Sequence, residues 1–446
     1  MAPAIQLRDS VSHGHFFISW LSLLTFAILI SGCQTFSINQ DAELSVSTGK
    51  ADTVETHQFA ITQQQAMVGM LTNVESHKDD ALSDLARHFG LGFTDITLAN
   101  PDLDPWVLPE NQAVLLPLQF ILPEAPRKGL VLNLANMRLF YYPTKENTVQ
   151  TYPVGIGRDG WNTPLGITEI VAKKANPAWT VPESIQREHE MLGDTLPAVI
   201  PSGPDNPLGY FAMPLGFSGY LIHGTNKPYG IGMQVSHGCV QLYPEDVEVL
   251  FNQVKVGIPV NIVHQPYLAA WEQDMLFLEA HQPLEKWAKQ TKQMQKKLRV
   301  KLTQLAAEKN QPIDWPRVEA VLKRADGIPT PVLEKSPDMA TLKANAIKVQ
   351  RPAQLFGQPN VNDLSISDWS AIVTDSFANE TEAQKLTAML NHQGPQIPAR
   401  KVQQDGAYRV VAGPFKNRKE TKLAAKRIKN SFDLEVIPVQ PQRLQN

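Results

Sequence analysis

Six short runs between residues 129 and 264, at 130–134, 138–142, 149–156, 166–173, 220–223 and 259–263, are rich in aliphatic and aromatic residues and punctuated by Gly, Pro and Asn. Runs this short bury their apolar side chains only by pairing edge to edge, so the stretch reads as a mostly-β, sandwich-like domain that carries its chemistry on loops. Ala135-Asn136-Met137 reads as the turn of the first hairpin. One helix interrupts the pattern, from Pro244 to about Val254, where Val247, Leu250, Phe251 and Val254 fall on one face.

A chain of 446 residues exceeds what one core of this kind uses, so further modules flank it. Residues 16–30 form an apolar run shorter than the roughly twenty residues of a membrane span but suited to a signal peptide. It is followed by Ser31-Gly32-Cys33, which resembles a bacterial lipobox. That predicts a lipoprotein signal peptide over 1–33, with Cys33 lipidated and Gln34 in keeping with outer-membrane sorting; an uncleaved anchor helix is the alternative. Polar residues 34–64 read as a tether. Over 65–123 the spacing predicts β-α-α-β: a strand near 65–71, a helix through Leu82, Leu85, Ala86 and Phe89 stopped by Gly90, a second helix capped by Thr94, and a strand at 113–116. With "LANP" at 98–101 it resembles a LysM module, the alternative being a small helical cap packed on the next domain.

Residues 265–335 read as a helical extension, with Asp314 as an N-cap and Gly327 as a stop, and 336–366 as a linker. In 367–446 a period of 38 appears: Val373, Phe377, Asn379, Glu382 and Leu390 recur as Val411, Phe415, Asn417, Glu420 and Ile428. Strand, turn and helix twice over predict a split βαβ module. The net charge of −3 gives no basic surface for nucleic acid.

The chain has two cysteines, and if Cys33 carries lipid then Cys239 in "VSHGCVQL" has no disulfide partner. Buried small hydrophobe, metal ligand and nucleophile are its three possible fates. Polar, glycine-flanked neighbours argue against a core strand, and no Cys-x-x-Cys or His-x-x-x-His pair supports zinc. A nucleophilic thiol needs a nearby imidazole or helix N-terminus to lower its pKa, and His223, His237 and the helix from Pro244 offer both. Gly238 lets the backbone approach closely, so the Gly238 and Cys239 amides are candidate oxyanion donors.

These motifs carry a resemblance. "GIGRDGWNTPLG" (155–166), "NPLGYFAM" (206–213), "IHGTNKPYGIG" (222–232) and "SHGCVQLYPEDV" (236–247) are similar, in that order, to the YkuD-type L,D-transpeptidase catalytic domain over 128–264. The flanking regions resemble the LysM-containing periplasmic branch of that family, and "RVVAGPF" (409–415) resembles a SPOR domain, a family that binds glycan strands. The resemblance implies that Cys239 attacks the diaminopimelate carbonyl of a tetrapeptide stem, expels D-alanine and passes the acyl group to an amine. It further implies His223 as general base and acid, oriented by Gly224; His237 and Gly238 at the oxyanion, supported by Ser236; and Thr225, Tyr229 and Gln241 against substrate. Gln241 departs from the family's usual arginine and brings no charge to a substrate carboxylate. No cofactor or metal is implied. The implied partners are peptidoglycan stems and glycan, a membrane reached through a lipid anchor, and an outer-membrane lipoprotein as one possible acceptor, with the chain in the periplasm. Thioester hydrolysis by water and a non-catalytic glycan-binding scaffold are the competing readings.

Overall fold

A computed structural model describes residues 57–440, apart from 79, 145, 192–194, 358–368, 374–375, 393–396, 405 and 433. The expected signal peptide, Cys33 and most of the tether lie outside the described residues. Among the described residues no helix is long and apolar enough to cross a membrane.

The catalytic region is built on two sheets around one core. The larger has the order Gln58–Ala60, Thr148–Pro153, Arg138–Tyr142, Gly129–Asn133, Pro259–Val263, Gly166–Glu169. Only the pairing of Gly129–Asn133 with Pro259–Val263 is parallel in it. Its edge strand begins at Gln58, within the stretch expected to be a tether. The smaller sheet runs Val240–Gln241, Leu221–His223, Phe211–Pro214, Lys174–Ala175. Leu130, Leu132 and Leu139 from the first meet Met213, Ile222 and Val240 from the second, and Val247 and Leu250 of helix Pro244–Gln253 close the same core.

Because side chains alternate along a strand, Val131 and Phe140 point the opposite way from Leu130 and Leu139. They join a second core made by Val74, Leu82, Leu85, Phe89, Ile96 and Val114. Those residues belong to the expected β-α-α-β unit: Met67–Glu75, Leu82–His88, Phe93–Ala99 and Ala113–Ile121, the two strands antiparallel. The unit is thus packed on the catalytic sheet rather than strung beside it. Arg138, 2% exposed, pins the joint by donating to the Gly90 carbonyl at 3.1 Å and to Asp95 at 3.2 Å. The second helix starts at Phe93, its N-cap Gly92 lying two positions ahead of the expected Thr94, and Asp95 accepts from the Gly92 amide at 3.0 Å.

Two other expectations need correction. Residues 265–335 are not all helical: Tyr267–Glu272 and Met275–Ala280 form a hairpin whose turn places Gln273 at φ +53°. Its alternating Leu276 and Leu278 face Leu298, Leu302, Val318 and Val321 of helices Thr291–Glu308 and Trp315–Arg324. Asp314 does cap the latter, accepting from the Arg317 amide at 2.9 Å, but the helix ends at Ala325 in the left-handed region, ahead of Gly327. Nor is 336–366 a free linker where it is described. Met339–Ala344 is helical and Ile347–Val349 pairs in parallel with Thr72–Val74 of the β-α-α-β unit. Arg351 then closes a bidentate pair with Asp80 at 2.6 and 2.8 Å, and Leu355 enters the unit's core.

The C-terminal repeat forms one antiparallel sheet, Ala399–Gln404, Ala407–Phe415, Trp369–Val373, Val436–Val439, with helices Glu380–His392 and Arg418–Phe432. The repeated Val373, Leu390 and Ile428 are in its core. Glu380–His392 rests on the β-α-α-β unit through Ala388 against Ala81 and Trp106, with His392–Asp84 at 3.0 Å and Lys385–Asp104 at 3.2 Å. Thr180–Val199 fall in a separate compact unit, whose described part contains helix Glu183–Met191. Helix and sheet are mixed over the chain as a whole.

Candidate active site

Cys239 sits at the pivot between strands Gln234–Ser236 and Val240–Gln241. The pivot requires a glycine: Gly238 has φ +103°, and a Cβ there would lie 2.8 Å from the Tyr220 ring. Side chains brace it on both sides. The Ser236 hydroxyl donates to the Cys239 carbonyl at 2.6 Å and accepts from the Gly238 amide at 3.1 Å. The Thr163 hydroxyl donates to the Gly238 carbonyl at 2.8 Å and accepts from the Gly157 amide. Sγ itself is half-buried, 3.8 Å from the Gly219 carbonyl.

Register brings His223 to the same place. Leu221–His223 runs parallel to Val240–Gln241, with Ile222 beside Val240 and His223 beside Gln241. Ile222 and Val240 both point into the core, so by alternation His223 and Gln241 take the opposite face, and Cys239 immediately precedes Val240 at the start of that strand. The imidazole is 3% exposed. Its Nδ1 lies 2.6 Å from the Gly224 carbonyl, which can only accept, so the proton sits on Nδ1. The Leu208 carbonyl also faces the ring and favours its charged form.

Burial sets the protonation of this pair. Desolvation brings His223 down to about 4, against the two carbonyls that favour its charged form. Desolvation also pushes the Cys239 thiol up to about 11, against the opposing Leu221 amide. Thiol and imidazole are therefore both neutral near pH 7. The expected activation of the resting thiol is not found. A neutral imidazole offers no charge to stabilise a thiolate.

The remaining expected residues divide. His237 is clamped, its Nε2 2.9 Å from the Arg158 guanidinium and its ring edge-to-face with Trp161 at 4.9 Å. The Gly238 amide is not an open oxyanion donor, because Ser236 already accepts from it. Thr225 is 5% exposed and accepts from the Lys227 amide at 2.9 Å, which makes it a turn residue. Tyr229 is not brought to the thiol: its ring packs on Phe93 at 4.7 Å and Trp106 at 5.1 Å, where burial pushes the phenol up to about 12. Gln241 exchanges backbone hydrogen bonds with Gly155, and its side chain lies over the small residues Gly155 and Gly230. Arg158, Trp161 and Thr163, in the 155–166 stretch, are further residues of the site to which the sequence motif assigns no role. The basic, aromatic and hydroxyl residues in an otherwise turn-rich segment were the available signal.

A model of the L,D-transpeptidase catalytic domain (YkuD) matches residues 127–262, and a SPOR domain model matches residues 371–438. The chain is 38% identical over 269 residues to the probable L,D-transpeptidase ErfK/SrfK of Escherichia coli (strain K12), covering 60% of this chain and 86% of that protein. It is 42% identical over 217 residues to the probable L,D-transpeptidase YcfS of the same strain, covering 48% of this chain and 68% of that protein.

Proposed function

The chain belongs to the L,D-transpeptidase family, and on that footing we propose that Cys239 is its nucleophile and His223 its general base. The observation that carries the assignment is the parallel pairing of the His223 strand with the strand that Cys239 immediately precedes, with the imidazole held by a carbonyl at 2.6 Å. The protein is an L,D-transpeptidase; the residue roles, the acceptor and the cellular address are the proposal.

In the first step Sγ attacks the carbonyl of the diaminopimelate L-centre in a tetrapeptide stem while its proton passes to Nε2 of His223. The oxyanion is received by the Cys239 amide and by Nδ1–H of His237, whose other nitrogen faces Arg158. Collapse breaks the C–N bond, and D-alanine leaves with the proton from His223. An acceptor amine then attacks the thioester, His223 takes its proton, and the amide forms as the thiol is restored. The acceptor is either the side-chain amine of another stem or a lysine of an outer-membrane lipoprotein. Arg158 brings a cation to the motif, at Nε2 of His237, where position 241 brings none.

The SPOR match supports a periplasmic, cell-wall setting, and residues 31–33 support a lipid anchor at Cys33. The β-α-α-β order supports a LysM-like reading of residues 65–123 as a second glycan contact. Incubating the protein with tetrapeptide muropeptides and weighing the products tests the reaction. Crosslinked dimers short of one D-alanine are expected. Trimmed tripeptide monomers alone would make the enzyme a hydrolase, and no turnover by protein that still sediments with sacculi would make it a scaffold.

A further inference from the structure

Asn206 is fully buried, and its carboxamide is saturated. Nδ2 donates to the carbonyls of Pro177 at 2.9 Å, Ile200 at 3.3 Å and Pro201 at 3.0 Å, while Oδ1 accepts from the Leu208 amide at 2.9 Å. Residues 177 and 200–201 are where the chain departs for, and returns from, the separate unit Thr180–Val199. One side chain therefore ties Pro177, Ile200 and Pro201 to the turn 206–209.

The far end of the turn reaches the imidazole. The Leu208 carbonyl faces the His223 ring and favours its charged form. Gly209, at φ +64°, lies so close that a Cβ on it would be 2.9 Å from the Thr225 amide nitrogen and 3.1 Å from the Gly224 carbonyl carbon. Gly224 is itself the acceptor for the ring. Both carbonyls that face His223 thus rest on a turn whose shape is set by Asn206.

We propose that Asn206 is a positioning residue for the transpeptidase reaction, holding the His223 imidazole through Leu208 and the turn 206–209. The proposal rests on His223 being the base. A group placed in this way changes the rate of the chemical step rather than donor affinity, since an ångström of misplacement at a reacting group is costly while the binding surface is untouched.

The test is single-turnover acylation of the full chain by a tetrapeptide donor as a function of pH, for wild type, Asn206→Ala and Asn206→Asp, with circular dichroism as a check on folding. Asn206→Ala is expected to lower the saturating rate by about 10- to 100-fold with the half-saturating donor concentration unchanged. Its acidic limb should move upward from about 4 toward ordinary imidazole values, because a loosened turn admits water to the ring. Asn206→Asp keeps the acceptor for Leu208 but turns a donor into an acceptor facing three carbonyls. It should lose rate while holding its acidic limb nearer wild type. If Asn206→Ala does not fold, Asn206→Asp decides alone, a wild-type saturating rate overturning the proposal and a fall at unchanged half-saturation supporting it. Folded variants with wild-type rates and limbs, or a change in half-saturation only, also overturn it. Absence of acylation in wild type would instead remove the functional reading beneath it.

Discussion

Changing His223 to alanine is expected to slow thioester formation at Cys239 by about 10²- to 10⁴-fold, the range for loss of a positioned general base. The size of the effect follows from the resting protonation of the pair. With the thiol near 11 and the imidazole near 4, moving the proton across the empty site costs on the order of 10 kcal/mol before the mutual attraction of the charges is counted. Proton transfer therefore accompanies attack on the donor carbonyl instead of preceding it, and without His223 it has no local acceptor. The same burial has a stability signature. The folded state holds His223 near 4 and the unfolded chain near 6.5, so between these values the unfolded chain binds the extra proton. Stability is full above about 6.5 and falls by roughly 3 kcal/mol as pH drops through 4. Urea titrations at pH 7 and pH 4 should show this loss in the wild type and a smaller one in His223→Ala.

Arg351→Ala is expected to destabilise the β-α-α-β unit by about 3–5 kcal/mol, the cost of stranding one member of a buried ion pair. Arg351 and Asp80 are 6% and 2% exposed at their side chains and meet in two parallel hydrogen bonds, so removing the guanidinium takes two charge-assisted hydrogen bonds from a buried carboxylate. Replacing both by leucine should recover much of the loss. Hydrogen exchange should report the event locally, with amides of Ile347–Val349 and Met67–Glu75 losing protection together, because the strand that Arg351 follows is an edge of that sheet. Unchanged stability in Arg351→Ala would mean that the pair is solvated.

The catalytic strands, the braced cysteine loop and the C-terminal repeat were legible in sequence because each carries a local signature: alternation, a glycine beside a cysteine, a period of 38. What was not legible depends on pairing at a distance. Tyr267–Glu272 and Met275–Ala280 sit beside long helical patterns, and only their mutual register identifies them as a hairpin. Residues 347–351 look like a polar linker until Thr72–Val74 and Asp80, more than 270 positions earlier, supply their partners. At the site the motif implies an oxyanion donor at Gly238, whose amide instead donates to Ser236 within the same motif. The lowered thiol pKa expected from nearby histidines failed for a related reason: composition records which groups are near, and burial decides whether they are charged.

The most direct measurement is the intact mass of the full chain mixed briefly with a tetrapeptide donor and quenched in acid, followed by peptide mapping. The account predicts one adduct equal to the donor less D-alanine, on the peptide holding Cys239, absent in Cys239→Ala and labile to hydroxylamine as a thioester. Turnover without an adduct on Cys239, or the same adduct on Cys239→Ala, would contradict it.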